Sequence, residues 1–140
     1  MKDSVTVQHR ENLSFTATIN GHELIIDASG GSGGNNLGPR PKSLMLAALA
    51  GCTGMDVVSI LKKMHVEFDD FSVKVEGNIT EEHPMHFDHM HIIYSIKGKN
   101  IPADKVNKAI DLSQEKYCGV SYNYRKAMKI THELLIKETS

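Results

Sequence analysis

Cys52 and Cys118 are the only thiols in the chain, and a pair of thiols is the residue combination best equipped here for redox chemistry. Cys52 sits within the apolar run LMLAALAGCTGMDVVSIL, whereas Cys118 follows an amphipathic run at EKYCGVS. On a helix the neighbours of Cys52 at three and four residues are Ala48, Leu49, Met55 and Asp56, with Met45 and Ser59 a turn beyond. Burial among such neighbours alone leaves a cysteine protonated and inert, the usual fate of a free cysteine. Reactivity needs a cation or an oriented donor beside the sulfur. The arginines are Arg10, Arg40 and Arg125, none adjacent to Cys52 in the chain, while Cys118 has Lys116 and Arg125 nearby. A helix starting at Cys118 lowers its pKa, and a helix ending there raises it.

Two other constellations are weaker. His83, His86, His89 and His91 fall within H-P-M-H-F-D-H-M-H. On a strand His89 and His91 share one face and His86 and Asp88 the other, which supplies pairs of ligands rather than a tetrahedral set. They are read as half-exposed histidines of a sheet edge, and neither a metal nor a cofactor is expected. The Gly-rich stretch SGGSGGNNLGPRP spaces Gly33 and Gly38 as a phosphate loop does, but Pro39 and Arg40 follow where Lys and Ser or Thr are required.

The elements that position these residues are legible in the pattern. SVTVQHR, FTATIN and HELIIDA read as three antiparallel strands, the last two joined by Asn20-Gly21, a strong hairpin signal. Pro41 suits a first helical turn, and a helix is expected from Pro41 to Lys63. EFDDFSVKVEGNIT and HFDHMHIIYSIKG alternate as two more strands. IPADKVNKAIDLSQEKY reads as a second helix with Ala103, Val106, Ile110 and Tyr117 near one face. A short helical or turn segment from Cys118 to Lys126 then leads to a strand around KITHELLI. The whole reads as one α+β domain over residues 1–140, with antiparallel sheets and a long central helix.

A chain of this length buries about 68–70% of its unfolded surface without a covalent staple. Sixteen lysines and arginines against 17 acidic residues leave a net charge of −1 with the bases scattered, so neither a nucleic acid nor a membrane partner is expected. The N-terminus has no apolar leader pattern, and Asp56 interrupts the apolar run, which together favour a cytoplasmic protein. The first helix is apolar all round and about 35 Å long, close to the diameter of the domain, so a second subunit is expected to cover part of it.

The segments GPRPKSLMLAALAGCTGMDVVSILKK, IDLSQEKYCGVS and KITHELLI resemble the OsmC/Ohr family, in particular its YhfA-like branch. The resemblance covers almost the whole chain and includes both cysteines. It implies an intertwined homodimer with active sites at the subunit interface and thiol-dependent reduction of organic hydroperoxides. Cys52 would then be the attacking thiol and Cys118 the resolving one, recycled by a dithiol reductant of the lipoyl type. Met45, Leu49 and Met55 would accept the organic tail. Arg10, Asp56 and Arg125 are the candidates for tuning the thiolate. The well-studied peroxidases of the family carry a glutamate ten positions before the first cysteine, where this chain has Lys42. A non-catalytic relative binding a small apolar or thiol ligand at the dimer interface is the alternative.

Overall fold

The computed structural model describes residues 1–139, which divide into two compact units, Met1–Met45 and 46–139. The first unit holds strands β1 (Thr6–His9), β2 (Phe15–Ile19) and β3 (His22–Ile26) in an antiparallel meander ordered β1-β2-β3. Asn20 and Gly21 take φ of 51° and 81°, the paired left-handed conformation of a two-residue turn whose twist matches the flanking strands.

The Gly-rich loop that follows is organised around a carboxylate of its own. Asp27 is buried, and its oxygens accept the backbone N–H groups of Ala28 (2.7 Å), Asn35 (3.0 Å) and Leu37 (3.2 Å). A phosphate loop turns such donors toward a ligand, whereas here an internal acid occupies them. Two glycines permit the wrapping, because a Cβ at Gly34 would collide with the Ala28 carbonyl and one at Gly38 with that of Ile25. Burial works to raise the Asp27 pKa, but the three N–H donors and the Arg40 guanidinium outweigh it and hold the carboxyl below its ordinary value.

Helix α1 (Pro41–Lys63) has the expected limits and continues into the second unit. That unit adds β4 (Asp70–Ile79), β5 (Phe87–Gly98), α2 (Ala103–Leu112), α3 (Gly119–Arg125) and β6 (Lys129–Glu138). Its sheet is ordered β4-β5-β6, with β5 central. Met90, Ile92, Tyr94 and Ile96 of β5 are buried at alternate positions, as the period of two requires for a strand with one face on the core. They form one cluster with Leu49, Val57 and Leu61 of α1 and Val106, Ala109 and Ile110 of α2. Each such side chain contributes about 1.5–3 kcal/mol through burial.

Two expectations are corrected. The sheets are not all antiparallel: β4 and β5 are, but β6 runs parallel to β5, from His89 opposite Lys129 to Gly98 opposite Glu138. The chain between them travels through α2 and α3, and a crossover of that length is what parallel pairing needs. The second helix does not continue regularly to Tyr117. After Leu112 the backbone widens into a π-turn over Ser113–Tyr117, closed by Cys118 N donating to Ser113 O at 2.7 Å. Ser113 and Gln114, where the turn opens, still face inward, but the shift in phase beyond them leaves Tyr117 53% exposed, while Ala103 at the other end also faces out. Helix α1, apolar on every side, is buried along one stripe only. Its buried residues are Leu49, Thr53, Val57 and Leu61, one stripe at four-residue spacing, and Met55 on another face is 77% exposed.

Candidate functional site

Cys52 and Asp56 stand one turn apart on α1, so both side chains project from the same helical face. The π-turn carries Cys118 to them. The two sulfurs and an Asp56 carboxylate oxygen all lie within 4.8 Å of one another, with Cys52 half-buried and Cys118 only 3% exposed. Both thiols are free. The sulfurs are therefore neighbours, and a disulfide would require them to close to about 2.05 Å.

Cys118 is the residue just before α3, and its sulfur accepts the Ser121 N–H at 3.4 Å. That bond and the start of a helix favour the thiolate. Burial is the larger effect and, with the hydrogen bond and charge of Cys52 and the charge of Asp56, pushes the thiol up to about 11. Cys118 is thus a protonated thiol at neutral pH.

Behind the three groups lies a buried polar network. Ser113 Oγ donates to Asp56 Oδ2 at 2.9 Å and shares a 2.7 Å hydrogen bond with Thr53 Oγ1, which makes another of 2.7 Å with Tyr94 OH. Gln114 Nε2 donates to Thr53 Oγ1 and Tyr94 OH at 3.1 and 2.9 Å, and Gln114 Oε1 accepts from Ser121 Oγ at 2.6 Å. Among the described residues no buried side-chain polar atom lacks a partner. A fully satisfied network of this kind fixes side-chain positions.

The remaining candidates are dispersed. The Arg125 guanidinium donates to Gln114 O at 2.8 Å and Gln114 Oε1 at 3.0 Å, so it braces the network rather than a sulfur. Arg10 and Lys42 belong to the first unit and are exposed; the Arg10 N–H closes the β1–β2 turn on Ser14 O. Leu49 is fully buried in the core stripe, which removes it from any ligand surface. Met45 and Met55 are exposed, and Met55 lines an open apolar groove of about 660 Å³ with Gly51, Gly54, Val58, Phe71 and Val73. His89 Nε2 and His91 Nδ1 both bond Thr131 Oγ1, and His91 Nε2 pairs with Glu133 at 2.9 Å, an arrangement that occupies the strand histidines on one another's neighbours.

The sequence reading missed Thr53, Tyr94, Ser113, Gln114 and Ser121. A signal existed for two of them: Ser113 and Gln114 continue the inward positions Val106, Ala109 and Ile110 at helical spacing, and polar residues on an apolar stripe call for partners.

A three-stranded mixed sheet packed on a long thiol-bearing helix, with a second thiol delivered by a crossover segment, defines a class. Residues 33–133 match the OsmC family, described as OsmC-like protein, and the chain belongs to that family. It is 36% identical over 123 residues to Protein YhfA of Escherichia coli strain K12, covering 87% of this chain and 89% of that relative. Solved structures share the fold. A hypothetical protein from Aquifex aeolicus superposes with a TM-score of 0.87 at 24% identity over 100% of this chain and 99% of its own. The organic hydroperoxide resistance protein OhrB of Bacillus subtilis does so at 0.67 and 17% over 96% and 98%.

Proposed function

We propose that this protein is a thiol-dependent peroxidase that reduces organic hydroperoxides, with Cys52 attacking and Cys118 resolving. The observation that carries the reading is the approach of the two sulfurs, within 4.8 Å, in a chain of the OsmC family. The name of the Bacillus subtilis neighbour adds the substrate class.

The chemistry follows from the two environments. The more accessible Cys52, as thiolate, attacks the terminal peroxide oxygen; the O–O bond breaks, and the departing alkoxide takes a proton to leave as alcohol. Cys52 becomes a sulfenic acid. The Cys118 sulfur then attacks the Cys52 sulfur, its proton leaves with the hydroxyl as water, and the disulfide forms before further oxidation. A dithiol of the lipoyl type returns both thiols by exchange. Because Cys118 is held protonated by burial, it does not compete for the peroxide.

The functional unit is a cytoplasmic homodimer, a reading supported by the exposed side of α1. Only one stripe of that helix is fully buried by its own chain, and the apolar groove beside Met55 is a surface a second copy would close. Met45 and Met55, rather than Leu49, are the candidates for contact with the organic tail at that boundary.

Intact-mass analysis of reduced protein before and after one equivalent of an organic hydroperoxide tests the reaction. Fast loss of two hydrogens, with both thiols closed to alkylation, is expected. Two thiols still free after minutes of exposure would instead favour a non-catalytic binder of an apolar or thiol ligand.

A further inference from the structure

We propose that the reduced cluster Cys52, Asp56 and Cys118 is a binding site for a thiophilic divalent cation of the zinc type. The sequence reading looked for a metal among the histidines of β5, yet the ligand set that the fold gathers lies elsewhere. Two sulfurs and one carboxylate oxygen within 4.8 Å of one another are the donors zinc prefers. At Zn–S of about 2.3 Å and Zn–O of about 2.0–2.2 Å, tetrahedral donors sit roughly 3.5–3.8 Å apart. The present spacing needs to tighten by about 1.3 Å at most to reach that.

Three further features suit the role. Cys52 and Asp56 are held on one rigid helix, and Cys118 is anchored by the Ser121 N–H at its sulfur. Ser113 donates to one Asp56 oxygen and is itself fixed by Thr53, the kind of outer hydrogen bond that orients a metal-binding carboxylate. A cavity of about 400 Å³ lined by Asp56, Ser59, Lys63 and Tyr117 brings solvent to the Asp56 member of the cluster. Three protein ligands leave the fourth tetrahedral position to water. Binding releases the thiol protons to solvent and leaves neither sulfur free for peroxide, so the metal and the oxidant compete for the same atoms.

The inference does not rest on the peroxidase reading and fails separately from it. Metal-free reduced protein is titrated with cobalt and then zinc, and bound metal is counted by elemental analysis after gel filtration. One metal per chain at sub-micromolar free zinc is expected, with a cobalt–thiolate charge-transfer band in the near ultraviolet. Cys52→Ser and Cys118→Ser each remove that band, and Ser113→Ala weakens binding by about 10- to 100-fold. Circular dichroism confirms that each variant is folded. No uptake at micromolar zinc overturns the proposal, as does uptake that survives both cysteine substitutions and is lost in His89→Gln/His91→Gln. The hydroperoxide reaction is followed on separate metal-free samples, so disulfide formation without zinc uptake sinks only the metal site, and zinc uptake without disulfide sinks only the peroxidase.

Discussion

Ser113 holds Asp56 in place: its hydroxyl donates to Asp56 Oδ2 at 2.9 Å, while its carbonyl accepts the Cys118 N–H at 2.7 Å. One residue of the π-turn therefore links the helix that carries Cys52 to the segment that carries Cys118. A regular α-helix would hydrogen-bond that carbonyl one residue earlier and alter where the second thiol falls. The widened turn is a local departure whose consequence is the thiol pair itself.

Replacing Ser113 by alanine leaves the half-buried Asp56 and the buried Thr53 each short of a partner. A loss of about 1–3 kcal/mol in unfolding free energy is expected, measured by urea denaturation of reduced protein. A change within about 0.5 kcal/mol, the range of ordinary surface substitutions, would show that the network does not hold this junction.

The pH dependence of the first unit follows from Asp27. Its folded pKa lies below the ordinary value because three backbone N–H groups and Arg40 favour the charged form more than burial opposes it. A depressed pKa contributes stability above the unfolded value, near 3.9, and loses it as pH falls through the folded value. Thermal unfolding of Asp27→Asn should thus lie well below wild type at neutral pH, with the gap narrowing below about pH 4. A gap that stayed constant down to pH 2 would mean that the carboxylate charge is not what organises the loop.

How far the sequence led can be argued from particular residues. Pro41 and the apolar run after it marked α1 end to end, and Asn20-Gly21 marked its turn, because both signals are local. The uniform apolar character of α1 could not say which stripe is inward, so Leu49 and Met55 looked alike although one is core and the other exposed. The parallel pairing of β6 depends on where a long crossover delivers the chain, which no local pattern encodes. The π-turn carries no composition of its own, and so Tyr117 was placed inside. Both cysteines were found, and Asp56 beside Cys52 follows from helical spacing, but the arrival of Cys118 at that pair is a tertiary fact.

Leu49 and Met55 separate core from exposed surface. Leu49→Ala should cost about 2–5 kcal/mol, since it empties a fully buried position. Met55→Asp should leave the chain folded while placing a charge on the groove where a second copy is proposed to sit. Light scattering after gel filtration should give twice the 15.5 kDa chain mass for wild type and a shift toward monomer for the variant. A wild-type protein that runs as a monomer at micromolar concentration would remove the dimer.

The two thiols should fail differently when replaced singly. Cys52→Ser removes the atom proposed to meet the peroxide, so consumption of cumene hydroperoxide should fall to the rate of buffer. Cys118→Ser keeps the attacking sulfur but not its partner, so one turnover should occur and leave Cys52 as a sulfenic acid, trapped by dimedone and then carried to the sulfinic acid by excess peroxide. The asymmetry rests on burial: the 3% exposed Cys118 is pushed up to about 11 and cannot stand in for Cys52 at neutral pH. Intact mass resolves the outcomes, because the sulfinic acid adds two oxygens whereas the wild-type disulfide loses two hydrogens. If Cys52→Ser consumed peroxide as fast as wild type while Cys118→Ser did not, the roles would be reversed, and the buried thiol would have to reach solvent through a motion of the π-turn.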